Sequence, residues 1–384
     1  MDADKLPPLP PFRYIQPLHV DVEDVEQYIP GGYHPVDIGD IICAGKTKYE
    51  VVHKLGHGGC STVWLVFSDT RSSYFALKIL CADVADYRDD ELRILQHLKT
   101  AAFPGHPNVL DLYDSFKISG PNGEHQCLVL PALGPSLRKI IDSDALSSPM
   151  RHTVCLQVAS AIEFLHKHRI CHGDLTPSNI VFDLPYIPAL SPKEFSNLAF
   201  FEDHPPKSLG VPISYYPPEV CFGYRPSAKS DIWQLACILY QAHTDHCLFF
   251  ELFQIFENLI DNVTHHLGPM PQSWRGKFDF AEYGYVDREN PQDTTEPEYW
   301  FEDKKSQDTI NGKLEEKAPH LSAEQRNEFA ALLLDMVAYE PDKRLSAAVV
   351  VRRLKESSLI EQPAPVAGPL TSPPAPPLTA HLLN

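Results

Sequence analysis

His172-Gly173-Asp174-Leu175-Thr176-Pro177-Ser178-Asn179 runs straight into the apolar triplet Ile180-Val181-Phe182. On its own this is an acidic loop ahead of a buried strand. Its weight comes from what stands on either side, in a fixed order. Downstream follow Pro217-Pro218-Glu219, then Ser230-Asp231-Ile232-Trp233, then Pro341-Asp342-Lys343-Arg344. Upstream, Ala76-Leu77-Lys78-Ile79 sets a lysine between core residues of a buried strand. Such a lysine needs a partner, because an unpaired buried charge is expensive. Glu91, on the next element, has the right charge. Earlier still, Leu55-Gly56-His57-Gly58-Gly59-Cys60-Ser61-Thr62-Val63 joins the first two strands. Its glycines let backbone N–H groups approach phosphate oxygens with no Cβ in the way. Alone this is a hairpin turn. Together, several weak signals in one order make a specific one.

The surrounding chain has two textures. Over residues 49–130, YEVVHKL, STVWLVFS, YFALKIL, VLDLYDSF and QCLVLPAL carry β-branched and aromatic residues between turn signals and read as strands. One helix interrupts them: in DYRDDELRILQHLK, Leu92, Leu95 and Leu98 recur at helical spacing. From Met150 the texture is helical. Val154, Val158, Ala161, Ile162 and Leu165 form one stripe, and Ile232, Leu235, Ala236 and Leu239 another. A third helix opens on the capping box Ser322-x-x-Gln325. Strands followed by helices predict an α+β layout.

The His172–Asn179 segment matches the catalytic loop of protein kinases, and further motifs narrow the likeness. Glu26-Gln27-Tyr28-Ile29-Pro30-Gly31-Gly32-Tyr33-His34-Pro35-Val36, with Ile38-Gly39-Asp40, is similar to the N-terminal extension of the SR-protein kinase family. So are Ser61-Thr62-Val63-Trp64-Leu65, Leu133-Gly134-Pro135-Ser136-Leu137 and Leu267-Gly268-Pro269-Met270-Pro271. The resemblance covers about residues 23–358. It implies a two-lobed kinase, a small β-rich N-lobe (about 49–130) and a larger helical C-lobe (about 134–358), with ATP in the cleft. Residues 1–22 would form a Pro-rich arm, 23–48 the family extension, 49–358 the kinase domain and 359–384 a disordered Pro/Ala-rich tail.

The implied activity is ATP-dependent phosphorylation of serine in Arg/Ser-rich proteins. Asp174 would accept the substrate hydroxyl proton and Asn179 would hold Mg2+. Lys78 would bridge the nucleotide phosphates and Glu91, beneath the turn of Leu55, Gly56, His57, Gly58, Gly59, Cys60, Ser61, Thr62 and Val63. Leu130 resembles the gatekeeper. The carbonyl of Pro131 and the N–H of Leu133 would receive adenine, and proline at 131 spares that carbonyl. Glu219 would close the activation segment and pair with Arg344.

Three departures accompany the likeness. Thr176 stands where most serine/threonine kinases carry a lysine on the γ-phosphate, so some transition-state stabilisation is lost. Gly173 replaces an arginine that pairs with a phosphorylated activation loop, so constitutive activity is implied. Between Asn179 and Pro217 there is no Asp-Phe-Gly. In one reading Glu194-Phe195-Ser196 is its degenerate form, and Glu194 is the metal ligand. In the other, ALSPKEFSNL is an insertion and the strand bearing the metal aspartate is missing. The second is preferred, because IPALSPK contains two prolines and does not read as a buried strand. The alternative to an active enzyme is a pseudokinase that keeps the fold as a scaffold.

Composition agrees with an ordinary globular protein. The 384 residues are 43% hydrophobic and 22% charged, with a net charge of -18 from 51 acidic and 33 basic residues. That balance argues against direct nucleic-acid binding and suits a basic partner. Residues 278–308 hold Asp279, Glu282, Asp287, Glu289, Asp293, Glu296, Glu298, Glu302, Asp303 and Asp308 against Arg288, Lys304 and Lys305. The 9 cysteines are dispersed with no CxxC, and no apolar run approaches a membrane span. The expectation is a monomer of the cytoplasm or nucleus.

Overall fold

The computed structural model describes residues 23–82, 89–100, 106–182, 200–201, 203–252, 255–284, 309–359 and 380–382. They fall into two compact units, the first gathering the described residues up to Leu92 with Leu112–Ala132, the second most of the remainder.

The first unit is built on β1 (Ile41–Ala44), β2 (Thr47–Gly58), β3 (Ser61–Ser68) and β4 (Ser73–Leu80). Then come α1 (Asp89–Thr100), within which the boundary between units falls, β5 (Asp114–Gly120) and β6 (Gly123–Pro131). The strands form one sheet in the order β1-β2-β3-β4-β6-β5, antiparallel throughout. Its core is written at period two: Tyr49 and Val51, Trp64 and Val66, Phe75, Leu77 and Ile79, Cys127 and Val129 share one buried cluster. One expectation is corrected. VLDLYDSF is mostly not strand: β5 starts at Asp114, while Val109, in a single bridge, and Leu110 and Leu112 are buried outside any described strand. A short apolar run does not by itself distinguish strand from buried loop. The segment 55–63 is a hairpin, as read: past a register shift at Leu55, β2 and β3 pair from Gly56↔Val63 down to Gly58↔Ser61, with Gly59 and Cys60 as the turn.

The second unit runs through α2 (Leu137–Asp142), α3 (Ser148–Lys167), β7 (Ile170–Cys171), β8 (Ile180–Phe182) and β9 (Phe200–Phe201). It continues with α4 (Pro218–Cys221), α5 (Ala228–Thr244), α6 (Phe256–Leu267), α7 (Phe280–Tyr283), α8 (Ile310–Lys317), α9 (Ala323–Met336) and α10 (Ala347–Glu356). Every residue of α5 from Ser230 to Thr244 is buried, which makes it the central helix. Capping boxes open α5 (Ser227 with Ser230) and α9 (Ser322 with Gln325). The expected stripe of α3, Val154, Val158, Ala161, Ile162 and Leu165, lies in the same core. The α+β expectation holds, with the six-stranded sheet in one unit and the helices from α2 onward in the other. The tail, expected without regular structure, contributes β10 (Ala380–Leu382), antiparallel to β8 with His381 opposite Val181. A strand edge offers its backbone groups to any extended segment in reach, whatever that segment's composition.

Candidate active site

In the first unit the glycine segment is a continuous hairpin whose Gly59 faces open space: a Cβ added there would meet nothing within 4 Å. One strand over, Lys78 lies between Val63 of β3 and Leu128 of β6 in the ladder. Only 2% of the lysine is exposed. Its ammonium donates to both carboxylate oxygens of Glu91, at 3.2 and 3.1 Å. Glu91 is in the first turn of α1, where the free N–H groups of a helix start favour a carboxylate. Leu130 and Pro131 end β6, paired with Ala76 and Phe75.

In the second unit the catalytic-loop segment hangs from α5. Asp231, fully buried in the first turn of that helix, accepts from the backbone N–H of His172 at 2.8 Å and of Gly173 at 2.9 Å. His166 Nε2 lies 2.9 Å from the same carboxylate. Gln234, one turn on, accepts from the N–H of Leu175 at 3.0 Å. Gly173 has φ +73°, the left-handed region that glycine enters at least cost. The residue read as a regulatory departure therefore also answers a backbone demand. Asp174 is 1% exposed, and its carbonyl accepts from Asn179 Nδ2 at 2.7 Å, which fixes the direction of the Asn179 amide. After β8, Gly134 N–H donates to Phe182 O at 2.7 Å, tying the segment that begins at Leu133 to the strand.

The same unit contains the predicted Glu219–Arg344 pair. Arg344 donates to the two Glu219 oxygens at 2.8 and 2.6 Å, and both side chains are fully buried. Ser230 Oγ donates to Glu219 as well, at 2.9 Å.

A protein kinase domain model matches residues 49–354. The chain belongs to the protein kinase family. Its relatives place this kinase on the SR-protein kinase branch. It is 37% identical over 191 residues to SRSF protein kinase 3 of Sus scrofa, covering 47% of the chain and 33% of the relative. It is 27% identical over 398 residues to the serine/threonine-protein kinase SRPK of Physarum polycephalum, covering 85% and 89%. It is 35% identical over 168 residues to protein kinase dsk1 of Schizosaccharomyces pombe, covering 41% and 30%. The matched part thus spans about a third of the mammalian and yeast relatives.

Lys78 and Glu91 are brought together in one unit, Asp174 and Asn179 in the other. Glu194 lies outside the described residues, as do residues 285–308 of the acidic stretch; Asp279 caps α7 through the N–H groups of Ala281 and Glu282. Gln234 was missed by sequence reading, and Asp231 was recognised only as a helix start. A signal existed: they are polar residues three apart in the stretch 231–240 of α5, which is otherwise apolar or aromatic. The protein kinase fold uses ATP and a divalent metal in general. Among the described residues no three His, Cys, Asp or Glu side chains are grouped to hold a metal. Magnesium does not need such a cage, since it keeps waters and takes one or two protein oxygens beside phosphates. Asn179, with its nitrogen directed at the Asp174 carbonyl, presents an oxygen of the right kind.

Proposed function

We propose that this kinase transfers the γ-phosphoryl group of ATP to serine in Arg/Ser-rich proteins. The observation that carries the reading is the catalytic loop, held to the central helix by Asp231 through two backbone N–H groups. In the step, the serine Oγ forms a bond to the γ-phosphorus, the bond to the ADP oxygen breaks, and the serine proton passes to the Asp174 carboxylate. Lys78 and the backbone of the glycine hairpin hold the phosphates. Magnesium, held by Asn179, would neutralise charge on the β- and γ-oxygens. The substrate class is supported by the net charge of -18, by the acids of 278–308, and by relatives named as SRSF protein kinases.

A scaffold reading is favoured by one observation, the lack of Asp-Phe-Gly between Asn179 and Pro217. Transfer of labelled phosphate to an Arg/Ser-repeat peptide separates the two. The expected result is slow transfer, below the ordinary kinase range of roughly 1–100 per second, lost in Asp174→Asn. Labelling no greater than that of Asp174→Asn would leave the scaffold.

A further inference from the structure

The extension Gly31-Gly32-Tyr33-His34 has no part in the reaction described above, yet it is held tightly to the small sheet. Gly31 has φ +89° and donates its N–H to Asn122 O at 2.7 Å, in the turn between β5 and β6. At Gly32 a Cβ would sit 1.8 Å from the Gln27 carbonyl oxygen, so no other residue fits. The Gly32 carbonyl accepts from Ala82 N–H at 3.2 Å, just past the strand that carries Lys78. His34 lies where a Cβ on Gly120 would meet its ring at 2.4 Å, and its ring centre is 4.8 Å from that of His125. Between these anchors Tyr33 is 3% exposed. Its carbonyl accepts from Asn122 Nδ2 at 2.7 Å, and its hydroxyl donates to Gly58 O at 2.8 Å.

Gly58 is the last paired residue of β2 before the two-residue turn. On the other side of that turn, Cys60 O accepts from Cys81 N–H at 2.9 Å. The two flanks of the turn are therefore each fixed by one hydrogen bond from outside the hairpin. One comes from the end of the Lys78 strand, the other from the extension. A turn with glycines at 58 and 59 has much backbone freedom to lose when its N–H groups converge on an anion. Donors already fixed do not incur that loss on binding.

We propose that Tyr33 is a positioning residue for the nucleotide phosphates, acting through the Gly58 carbonyl to hold the glycine turn in its phosphate-binding form. This rests on the nucleotide reading above and names a regulator of the same site. The extension thereby ties the turn and the Lys78 strand into one frame.

The test compares the full chain with Tyr33→Phe and with Tyr28→Phe. Tyr28 belongs to the same strap, but its hydroxyl donates to Glu23 at 2.6 Å instead of to the turn. Amide hydrogen exchange over residues 56–61 is measured without ligand, and ADP with magnesium is titrated by calorimetry. Tyr33→Phe is expected to speed exchange in that segment and weaken ADP roughly two- to tenfold, the range of one net hydrogen bond. Tyr28→Phe is expected to change neither, although both variants lower the melting temperature. Unchanged exchange in Tyr33→Phe, or equal effects of the two substitutions, would overturn the proposal. If the unmodified chain binds no ADP, the function proposed above falls, and the exchange comparison alone decides whether Tyr33 holds the turn.

Discussion

The ion pairs Lys78–Glu91 and Arg344–Glu219 are both buried, one in each unit, and they are built differently. Arg344 uses its whole fork: Nε on Ala338 O at 2.7 Å, the terminal nitrogens on Glu219, on Lys229 O at 2.9 Å and on Tyr339 O at 3.1 Å. Its guanidinium also lies 5.0 Å from the Trp233 ring centre. The contacts to Glu219 are 2.8 and 2.6 Å, against 3.2 and 3.1 Å for Lys78 on Glu91. A guanidinium is a rigid bidentate donor, whereas an ammonium is a mobile point charge. The Arg344–Glu219 pair is a rivet joining α4 to the segment before α10. The Lys78–Glu91 pair has the looser geometry of a charge that a phosphate can share.

The sharpest way to break that contrast is to remove the arginine. Arg344→Met leaves Glu219 fully buried without its counter-charge, and loss of one partner of a buried pair costs about 3–5 kcal/mol. Urea unfolding should show a loss of that size. Arg344→Lys should recover only part of it, since an ammonium cannot serve the same five acceptors. A loss under about 1 kcal/mol would mean the rivet is ornamental.

Acid should weaken the same unit by a smaller amount. His243, on α5, is 3% exposed and packs edge-on against Phe329. Burial, followed by the nearby His152, His320 and Arg151, pushes its pKa down to about 3. His152 is lowered too, chiefly by burial. In the unfolded chain a histidine titrates near 6.5, so below that pH the unfolded state binds the proton and the folded state does not. Stability is therefore full above about pH 6.5 and falls as pH drops toward 3. At 1.36 kcal/mol per unit, His243 alone accounts for about 2 kcal/mol by pH 5. Urea unfolding at pH 7 and pH 5 should show that loss, and His243→Leu should shrink it by about the same figure. An equal pH dependence in the variant would remove His243 as the cause.

The Lys78–Glu91 pair was legible from chemistry, because a lysine inside an apolar strand needs a partner, whereas the Glu219–Arg344 pair was legible only through the resemblance to kinase motifs. Strands β2, β3, β4 and β6 were legible from their β-branched and aromatic residues between turn signals. What escaped was set by tertiary contact. β1 is the four residues Ile41–Ala44, too short to show a period. β5 begins at Asp114 rather than within Val109–Leu112, where the apolar residues are buried outside the described strands. The extension was recognised by likeness, but the bond from Tyr33 to Gly58 spans 25 residues and leaves no local trace. Gly173 looked like a lost arginine until its φ of +73° was known.

The smallest stability effect belongs to Lys78→Met, and it sharpens the comparison most. Methionine keeps an unbranched apolar stem of similar reach, so the place between Val63 and Leu128 stays filled. Glu91 loses its cation, but it is the third residue of a helix that begins at Asp89. The partial positive charge of a helix start stabilises a carboxylate by about 0.3–1 kcal/mol, and by up to about 2 kcal/mol when partly buried. Glu219 has only a four-residue helix, Pro218–Cys221, around it. The expected loss for Lys78→Met is therefore about 1–2 kcal/mol in the urea series, well under that for Arg344→Met. Affinity for ADP with magnesium should fall by about tenfold or more, because charge-assisted contacts to phosphate are the strong ones. Arg344→Met, measured under conditions where it is folded, should leave that affinity within about a factor of three, roughly 0.7 kcal/mol. Should Lys78→Met instead cost as much stability as Arg344→Met and leave ADP binding untouched, both pairs would be rivets, and Lys78 would have no claim on the nucleotide.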